Sequence, residues 1–313
     1  MKRVAVLFGG PSSEHEVSVN SARNVLDNID GTLFETLEVF ISKNGLFEMN
    51  GKSLNITDAI EELKKGSDIV FPVLHGTFGE DGSLQELLET KKIPFVGSGS
   101  AASRKAIDKN ASNKLFSEHG LSIPQSQILI KDDSISLNFP IVVKPHNEGS
   151  SISLYKCQTL DEFETMREKI FSIHTKMLAQ EFVSGREFTC GILDIKDSPT
   201  ALPATEIILK NTALFDYKAK YTSWECTEIT PAEVSREIMR EIQDIALQCH
   251  SILGCKSLSR TDMILKESGI IYVLETNTMP GMTKTSFVPA QAKAYGLDMK
   301  QLVTCLLESV SAD

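Results

Sequence analysis

The chain has 313 residues, of which 41% are hydrophobic and 24% charged, and its net charge at pH 7 is −10. These values are typical of a globular protein that is large enough for two or three domains. The acidic balance, with no long run of lysine and arginine, argues against nucleic acid and against an anionic membrane as partners.

The cysteines and the start of the chain indicate an intracellular protein. Six cysteines are scattered without a CxxC pair, so the sequence supports neither a zinc site nor a disulfide framework. The first apolar stretch is too short for a signal peptide, and no run approaches the length of a membrane span. We therefore expect a cytoplasmic protein with reduced thiols.

Three apolar strands that end in glycine-rich loops are predicted in the first part of the chain. They are Val4–Phe8, Ile69–Leu74 and Ile93–Val96. In an open α/β sheet, ligands bind at the carboxyl ends of parallel strands. The GxGxxG pattern of dinucleotide-binding proteins is absent, so a nicotinamide dehydrogenase is disfavoured.

Polar residues follow two of these strands. Ser13 and Glu16 fit a capping box, which places Glu14 in the first turn of a helix. Glu14 could hold a substrate ammonium, or could simply be favoured by the helix dipole. A lone histidine such as His75 is more often structural, although its position at the same sheet edge favours a role in a site.

The middle of the chain contains two segments that could cover a ligand. A helix is predicted over Ser103–His119, and the strand Ile141–Lys144 leads into small residues at 145–153 that could surround a phosphate or form an ordinary hairpin loop. Lysines and aromatic residues at 215–224 indicate a surface loop or a lid. Further helices are predicted over 160–170, 232–253 and 302–310, and further strands over 128–130, 177–183 and 201–209.

A predicted β-hairpin brings acidic residues together near the C-terminus. The strands Leu258–Leu265 and Ile270–Leu274 are joined by a four-residue loop, so Asp262 should lie opposite Glu275. Asn277 shares a face with Glu275 if the strand continues that far. Two carboxylates and an amide suit Mg²⁺. The alternative is a plain turn whose acidic residues face water.

Arg260 would point to the same side of the hairpin as Asp262, because the two are separated by one residue. A metal cation and a guanidinium together indicate phosphate chemistry. A nucleotide-binding protein without catalytic activity is the alternative from another class.

Six motifs, in order from the first strand to the last helix, resemble those of the D-alanine–D-alanine ligases of the ATP-grasp superfamily. Together they make the resemblance specific, whereas any one alone would not. The motifs are Gly9–Ser18, Leu74–Gly76 with Gly79–Gly82, Val143–Pro145 with Glu148–Ser151, Asp216–Tyr221, Arg260–Asp262 and Glu275–Thr283.

The resemblance implies a three-domain ATP-grasp architecture of α/β (α+β) class with an N-terminal open parallel α/β sheet. The domains would be residues 1–100 for substrate binding, 101–183 as a lid and 184–313 for catalysis. The implied reaction joins two D-alanines through an acyl phosphate, for peptidoglycan precursor synthesis, with ATP as co-substrate and two Mg²⁺ ions, for which Mn²⁺ can substitute. A homodimer is usual in the family. A related ligase with another acceptor amino acid stays open.

The resemblance also assigns roles around ATP. The metal ligands would be Asp262, Glu275 and Asn277. The phosphates would be contacted by Lys109, Lys144, Ser150 and Ser151. The adenine would be lined by backbone groups of Glu181, Phe182 and Val183, and the ribose would be bound by Glu187.

The amino acid sites follow from the same resemblance. The first ammonium would be bound by Glu14, with His75 nearby. Arg260 and the Gly281 amide would stabilise the tetrahedral intermediate. The second substrate's carboxylate would be held by Lys220 and Ser286. Tyr221 would bond towards Ser150 and close the active-site loop.

Several residues depart from the family pattern. Gln180 stands where many members carry a glutamate that faces the adenine amine, although its carbonyl oxygen can accept the same hydrogen bond. Phe287 replaces a usual leucine beside the second-substrate site, and Ser153, Trp224 and Cys226 alter the loops. The identity of the second amino acid therefore stays open.

Overall fold

The computed structural model describes residues 1–147, 154–196, 198–209 and 226–310. Within these ranges the chain is of mixed α/β class, and its strands form three sheets. None of the helices in the same ranges combines the length and the apolar character that crossing a bilayer requires.

The first sheet is the open, mainly parallel sheet that the N-terminal sequence predicts. Its elements and those around it are β1 (Lys2–Gly9), α1 (His15–Leu26), β2 (Phe34–Ile41), β3 (Phe47–Met49), β4 (Lys52–Leu54), α2 (Ile56–Gly66), β5 (Ile69–Pro72) and α3 (Ser83–Thr90). The strand order is β4-β3-β2-β1-β5, and β1 pairs in parallel with β2 and β5. The centre of β1, from Val4 to Leu7, is fully buried, because helices cover both faces of such a sheet.

The prediction of a third strand in this sheet, over Ile93–Val96, is wrong. Residues Ile93–Val96 make only a short approach to β5, with a single parallel bridge between Val70 and Phe95. Pro94 cannot donate a ladder hydrogen bond, and its carbonyl instead accepts from the Val70 N–H at 2.8 Å. The glycine-rich loops that follow β1 and β5 nevertheless lie at the predicted edge.

A second, antiparallel sheet follows. Its elements are β6 (Ser126–Leu129), β7 (Ile141–Pro145), β8 (Tyr155–Cys157), α6 (Leu160–Phe171) and β9 (Met177–Glu181). The strand order is β6-β9-β7-β8. Phe163 and Ile170 of α6 pack on Ile141, Val143 and Ala179 on one face of this sheet. The opposite face therefore carries the alternate residues of β7 and β9.

The third sheet carries the predicted acidic hairpin. Its elements and neighbours are β10 (Arg186–Ile195), β11 (Ser198–Ala201), β12 (Thr205–Leu209), β13 (Cys226–Ile229), β14 (Leu258–Leu265) and β15 (Ile271–Asn277). The strand order is β13-β12-β10-β14-β15, with β11 paired to β10. The predicted strand 201–209 is thus two strands separated at 202–204, and the second hairpin strand continues through Glu275 to Asn277.

The helix predicted over Ser103–His119 is wrong as a single element. The chain forms two helices on either side of Asp108, which is extended, and whose carboxylate accepts from the N–H groups of Asn110 and Ala111 at 3.0 Å each. Aspartate caps a new helix more favourably than it continues one, because its side chain competes for backbone donors. Lys109 therefore lies at a helix start. These helices precede β6 and are α4 (Ser100–Ile107) and α5 (Lys109–Glu118).

The remaining helices join the sheets. After β13 comes α7 (Arg236–Leu253), and after β15 come α8 (Phe287–Tyr295) and α9 (Met299–Glu308). Val288 and Leu302 of α8 and α9 pack with Val4 and Val6 of the first sheet, whereas Phe116 of α5 packs in the core of the third sheet. The cores are shared between distant parts of the sequence, and the predicted division at residues 100 and 183 stays a prediction.

Replacing Gly9 by alanine is expected to destabilise the first sheet. Gly9 has φ of +92°, and a Cβ there would lie 2.3 Å from the Ile41 carbonyl oxygen. Backbone strain and this clash together predict a loss of about 2–4 kcal/mol in the free energy of unfolding, measurable by urea denaturation. Gly31→Ala is the control, because no atom lies within 4 Å of its Cβ position. A Gly9→Ala protein as stable as the Gly31→Ala protein would contradict the expectation.

Candidate active site

The acidic hairpin is formed as predicted. Asp262 pairs directly with Glu275, and Arg260 pairs with Asn277. The pairing shifts beyond Asp262, where Met263 faces Val273, so that one extra residue forms a β-bulge. The bulge explains how Val273 can point into the core while Glu275, two residues later, points into a cleft.

Arg260 is the most buried cation of this group. Its guanidinium donates to both carboxylate oxygens of Asp262, at 2.9 and 2.7 Å, and lies over the ring of Phe287. Burial lowers the pKa of Arg260, but Asp262, with Glu275 and Glu80 behind it, more than offsets this and holds the pKa above its ordinary value. Arg260 is therefore a fixed positive charge at the floor of the cleft.

Two lysines and a further carboxylate complete the charged group. Nζ of Lys109 lies 3.3 Å from the Glu275 carboxylate. Burial lowers the pKa of Lys144 to about 8, against the attraction of Glu275. Burial also raises the pKa of Glu187 to about 8, and the carboxylates of Asp262 and Glu275 add to this effect. Such crowding of carboxylates disfavours their charged forms and is relieved by a cation.

Glu14 and His75 lie on the opposite wall of the cleft, at the carboxyl ends of β1 and β5. The capping box predicted for Ser13 and Glu16 is wrong, since Glu14 itself precedes α1 and its N–H donates to the Ser12 hydroxyl at 3.2 Å. The Glu14 carboxylate does not cap the helix, and it is buried beside the cleft. Its role in binding a substrate ammonium stays a prediction.

His75 joins this wall to the loop that follows β15. Its Nδ1 lies 3.0 Å from the Met279 carbonyl oxygen, which can only accept, so Nδ1 carries the proton. The other ring nitrogen lies 3.1 Å from the Ser21 hydroxyl, which accepts from the Met282 N–H. Asn24 also donates to the Met282 carbonyl at 2.8 Å. His75 therefore holds this loop against the first sheet, and it also lines the cleft. Its predicted place near the first ammonium stays a prediction.

The loop ends at the predicted second-substrate residues. The Ser286 hydroxyl accepts from the Thr283 N–H at 3.0 Å, and a Cβ on Gly281 would lie 2.9 Å from that hydroxyl oxygen. Phe287 is buried against Ile207 and Cys226. A side chain at position 281 would therefore require the Ser286 hydroxyl to move.

Sequence reasoning missed Glu80. Its carboxylate accepts from the Gly76 N–H at 2.7 Å, and it is buried in the loop between β5 and α3. It lines the cleft and also a neighbouring space beside Lys109. The motif Gly79–Gly82 marked this loop, but a carboxylate between glycines does not by itself indicate the direction of its side chain.

The cleft encloses about 690 Å³ of empty space when its opening to solvent is included. It is lined by residues of α1 and its start, the loop after β5, β13, the acidic hairpin and the loop after β15. Glu228 of β13 is a second lining residue that the sequence did not single out, and burial raises the pKa of its carboxyl. The lining residues are Glu14, Val17, His75, Glu80, Glu228, Arg260, Glu275, Asn277, Met279, Pro280, Gly281, Thr283, Thr285, Ser286 and Phe287.

The predicted adenine segment lies at the end of β9. The N–H groups of Glu181 and Phe182 donate to the carbonyls of Gln125 and Pro140 at 2.9 Å each, so these two donors are already used by the fold. Val183 is buried just beyond them. Four predicted site residues lie outside the described residues: Ser150, Ser151, Lys220 and Tyr221. The departures at Ser153 and Trp224 lie outside them too.

The predicted metal ligands would supply only part of the coordination shell of a hard cation. In the described ranges no set of three or more His, Cys, Asp or Glu side chains is arranged to hold a metal ion. Asp262 and Glu275 supply two carboxylates and Asn277 an amide oxygen. A set of this kind suits Mg²⁺, which commonly completes its shell with water and substrate phosphates.

Comparisons with known proteins identify the family. The sequence matches the family described as D-ala D-ala ligase N-terminus over residues 3–98 and the family described as D-ala D-ala ligase C-terminus over residues 115–308. The chain belongs to the D-alanine–D-alanine ligase family. The predicted family and the assignment to the ligases are thereby confirmed.

Curated relatives match this ligase over nearly its whole length. The D-alanine–D-alanine ligase of Leptospira biflexa is 39% identical over 343 residues, covering 98% of each chain. That of Shouchella clausii is 35% identical, covering 98% of this chain and 94% of the relative.

Solved structures confirm the ATP-grasp fold. The VanG D-Ala:D-Ser ligase from Enterococcus faecalis has a TM-score of 0.87 and 32% identity, covering 98% of this chain and 99% of its own. The D-alanine–D-alanine ligase from Bacillus anthracis complexed with ATP has a TM-score of 0.80 and 29% identity, covering 99% of this chain and 96% of its own.

Proposed function

We propose that this ligase joins two D-alanines to D-alanyl-D-alanine through an acyl phosphate. A carboxylate oxygen of the first D-alanine attacks the γ-phosphorus of ATP and releases ADP. The amine of the second then attacks the acyl carbon, loses a proton and displaces phosphate. The observation that carries the proposal is the buried Arg260 in the same cleft as Glu14 and Gly281, because it supplies a fixed positive charge for the tetrahedral oxyanion.

The charged residues around Glu275 support ATP binding between the second and third sheets. Lys109 and Lys144 would neutralise phosphate oxygens. Asp262, Glu275 and Asn277 would hold Mg²⁺, and Mn²⁺ would serve in the same set. When bound, such ions neutralise charge that develops on the phosphates.

The ATP-binding residues predicted on β9 and β10 keep their proposed roles. Backbone groups of the segment Glu181–Val183 would line the adenine, although not the two N–H groups that the fold uses. Glu187, which faces the same charged group, would accept from the ribose hydroxyls. Ser150 and Ser151 would cover the phosphates.

Glu14→Gln is expected to weaken binding of the first amino acid. The buried carboxylate would pair with an ammonium, and removing its charge should raise the KM for D-alanine about tenfold or more while leaving the KM for ATP unchanged. The measurement is initial-rate ligation with each substrate varied. Glu16→Gln is the control, because Glu16 is exposed and lies only two residues away in the first turn of α1. An equal rise in both KM values would contradict a role specific to the ammonium.

The identity of the second amino acid, the acceptor, is supported by fewer observations than the rest of the proposal. Phe287 and Glu228 line the cleft, and the structure of a D-Ala:D-Ser ligase resembles this chain as well as D-alanine–D-alanine ligases do. Lys220 and Ser286 would hold the acceptor carboxylate, and Tyr221 would close the loop towards Ser150. The second candidate function is therefore ligation of D-alanine to another amino acid such as D-serine.

Product identification tests the function. The protein is incubated with ATP, Mg²⁺ and D-alanine alone or paired with a second amino acid, and dipeptides are identified by mass spectrometry. D-alanyl-D-alanine and stoichiometric ADP are expected. No dipeptide from D-alanine alone would overturn the leading proposal, and a mixed dipeptide would establish the second. We further propose that the dipeptide serves peptidoglycan precursor synthesis in the cytoplasm. The protein would have three domains and form a homodimer.

A further inference from the structure

One buried side chain on the second sheet has an unused hydrogen-bond donor. Gln180 of β9 is only 3% exposed, and its Nε2 has no hydrogen-bond partner among the residues that the structure describes. A buried amide donor without a partner is unfavourable by itself and requires an explanation. A ligand group is one such explanation.

The sheet register places Gln180 on the face that looks towards the charged group. Gln180 pairs with Val142, and Leu178 pairs with Lys144, so these four side chains share one face. This face is opposite to the one that α6 covers with Phe163. Lys144 interacts from it with the carboxylates of the third sheet. A nucleotide whose phosphates meet Lys144 would therefore lie along the face that contains Gln180.

The distance along the strands fits the far end of a nucleotide. Gln180 is displaced from the level of Lys144 by two strand residues, which is about 7 Å. The displacement is towards Glu181 and Phe182, where β9 ends. The ring of Phe182 already binds Lys156, whose Nζ lies 3.4 Å from its centroid. The end of β9 thus offers an amide and an aromatic side chain beyond the phosphate region.

An amide differs from a carboxylate in what it can recognise. An ionised carboxylate only accepts hydrogen bonds, whereas the glutamine amide both accepts and donates. Among the described residues no acceptor binds the Nε2 of Gln180, so exchanging the two amide atoms by rotation breaks no hydrogen bond of that donor there. The side chain can therefore present an acceptor to a 6-amino purine or a donor to a 6-oxo purine.

We propose that Gln180 contacts position 6 of the purine and allows this ligase to use 6-oxo purine nucleoside triphosphates as well as ATP. The inference rests on the proposed ATP-dependent ligation, and it adds the class of nucleotide that the site accepts. Inosine triphosphate is the probe, because a 6-oxo group replaces the 6-amino group of ATP and N1 changes with it from an acceptor to an N–H donor, while the rest of the nucleotide is unchanged.

The test compares ATP and inosine triphosphate as co-substrates of the full chain with Mg²⁺ and D-alanine, with dipeptide measured by mass spectrometry. The wild-type kcat/KM values are expected to agree within about tenfold. Gln180→Glu should raise the ratio in favour of ATP about 100-fold, because a carboxylate opposite a 6-oxo group leaves both unpaired. The assay is run at about pH 8.5, since burial raises the pKa of a carboxyl.

Two further variants separate recognition from general effects. Gln180→Met removes both polar atoms at similar volume and should lower kcat/KM for both nucleotides by a similar factor. Gln158→Glu makes the same charge change at an exposed residue and should leave the ratio at its wild-type value.

A wild-type kcat/KM for inosine triphosphate more than about 100-fold below that for ATP would overturn the inference while leaving the ligase function intact. An unchanged ratio in folded Gln180→Glu would also overturn it. If that variant does not fold, the wild-type comparison decides. Dipeptide with neither nucleotide would overturn the proposed function, and this inference with it.

Discussion

Arg260→Met is expected to lower kcat for ligation by at least about 100-fold, the usual loss when one preorganised oxyanion donor is removed. Arg260 is buried at the floor of the cleft, and two of its three side-chain nitrogens, Nε and Nη2, donate to Asp262. Methionine retains the apolar stem against Phe287 but provides no charge. Initial rates of dipeptide formation at saturating ATP and D-alanine measure the effect.

The structural part of the Arg260 effect can be separated from the chemical part. Loss of the guanidinium also leaves the Asp262 carboxylate without its bidentate partner, so thermal denaturation should show a lower Tm. Arg260→Lys keeps the charge without the planar fork and should give an intermediate kcat. Arg240→Met, at an exposed position of α7, is the control. A folded Arg260→Met protein with kcat within tenfold of wild type would exclude the oxyanion role.

Glu275→Gln is expected to reduce kcat/KM for ATP by about 100-fold and to raise the Mg²⁺ concentration needed for half-maximal rate. Glutamine has nearly the same shape but lacks the charge that pairs with Lys109 and that would bind the metal. A Mg²⁺ titration at fixed ATP measures both quantities. Its result is independent of product identity.

The matched control for Glu275→Gln lies in the same hairpin. Glu267 is exposed in the turn between β14 and β15. Glu267→Gln makes the same charge change in the same hairpin, away from the cleft. Its Mg²⁺ dependence should equal that of the wild type. If Glu275→Gln also retains the wild-type Mg²⁺ dependence, Glu275 is not a metal ligand and its role is limited to the contact with Lys109.

Local sequence patterns predicted the acidic hairpin well. Two short apolar runs and a turn between them were sufficient to pair Asp262 with Glu275, since a tight turn determines register. The bulge at Leu274 was not predictable, because an extra residue leaves no mark in an apolar run. The bulge did not affect the prediction that Glu275 and Asn277 share a face, since both residues follow it.

Contacts between distant segments were the harder part. Nothing near Glu80 in the sequence indicates that it faces Arg260, because that contact depends on how the first and third sheets meet. The break at Asp108 was missed for a different reason. The residues on both sides have good helix propensity, and only the capping bonds of Asp108 show that a new helix begins there.

The family resemblance added roles that physical patterns could not supply. From the sequence alone, Lys109 lay on a helix whose cations mostly face solvent, and Lys144 ended a strand before a possible phosphate loop. The resemblance assigned both lysines to phosphates, and the structure places both near Glu275. Spacing alone does not distinguish a buried lysine from an exposed one. The burial of these two lysines depends on how the sheets pack together, which the sequence does not show.

The packing of α8 and α9 on the first sheet has a consequence for biosynthesis. Val4 and Val6 are buried by Leu302 and Leu306, which the ribosome adds about three hundred residues later. Until then, one apolar face of β1 has only part of its cover, so the N-terminal segment cannot complete its core during translation.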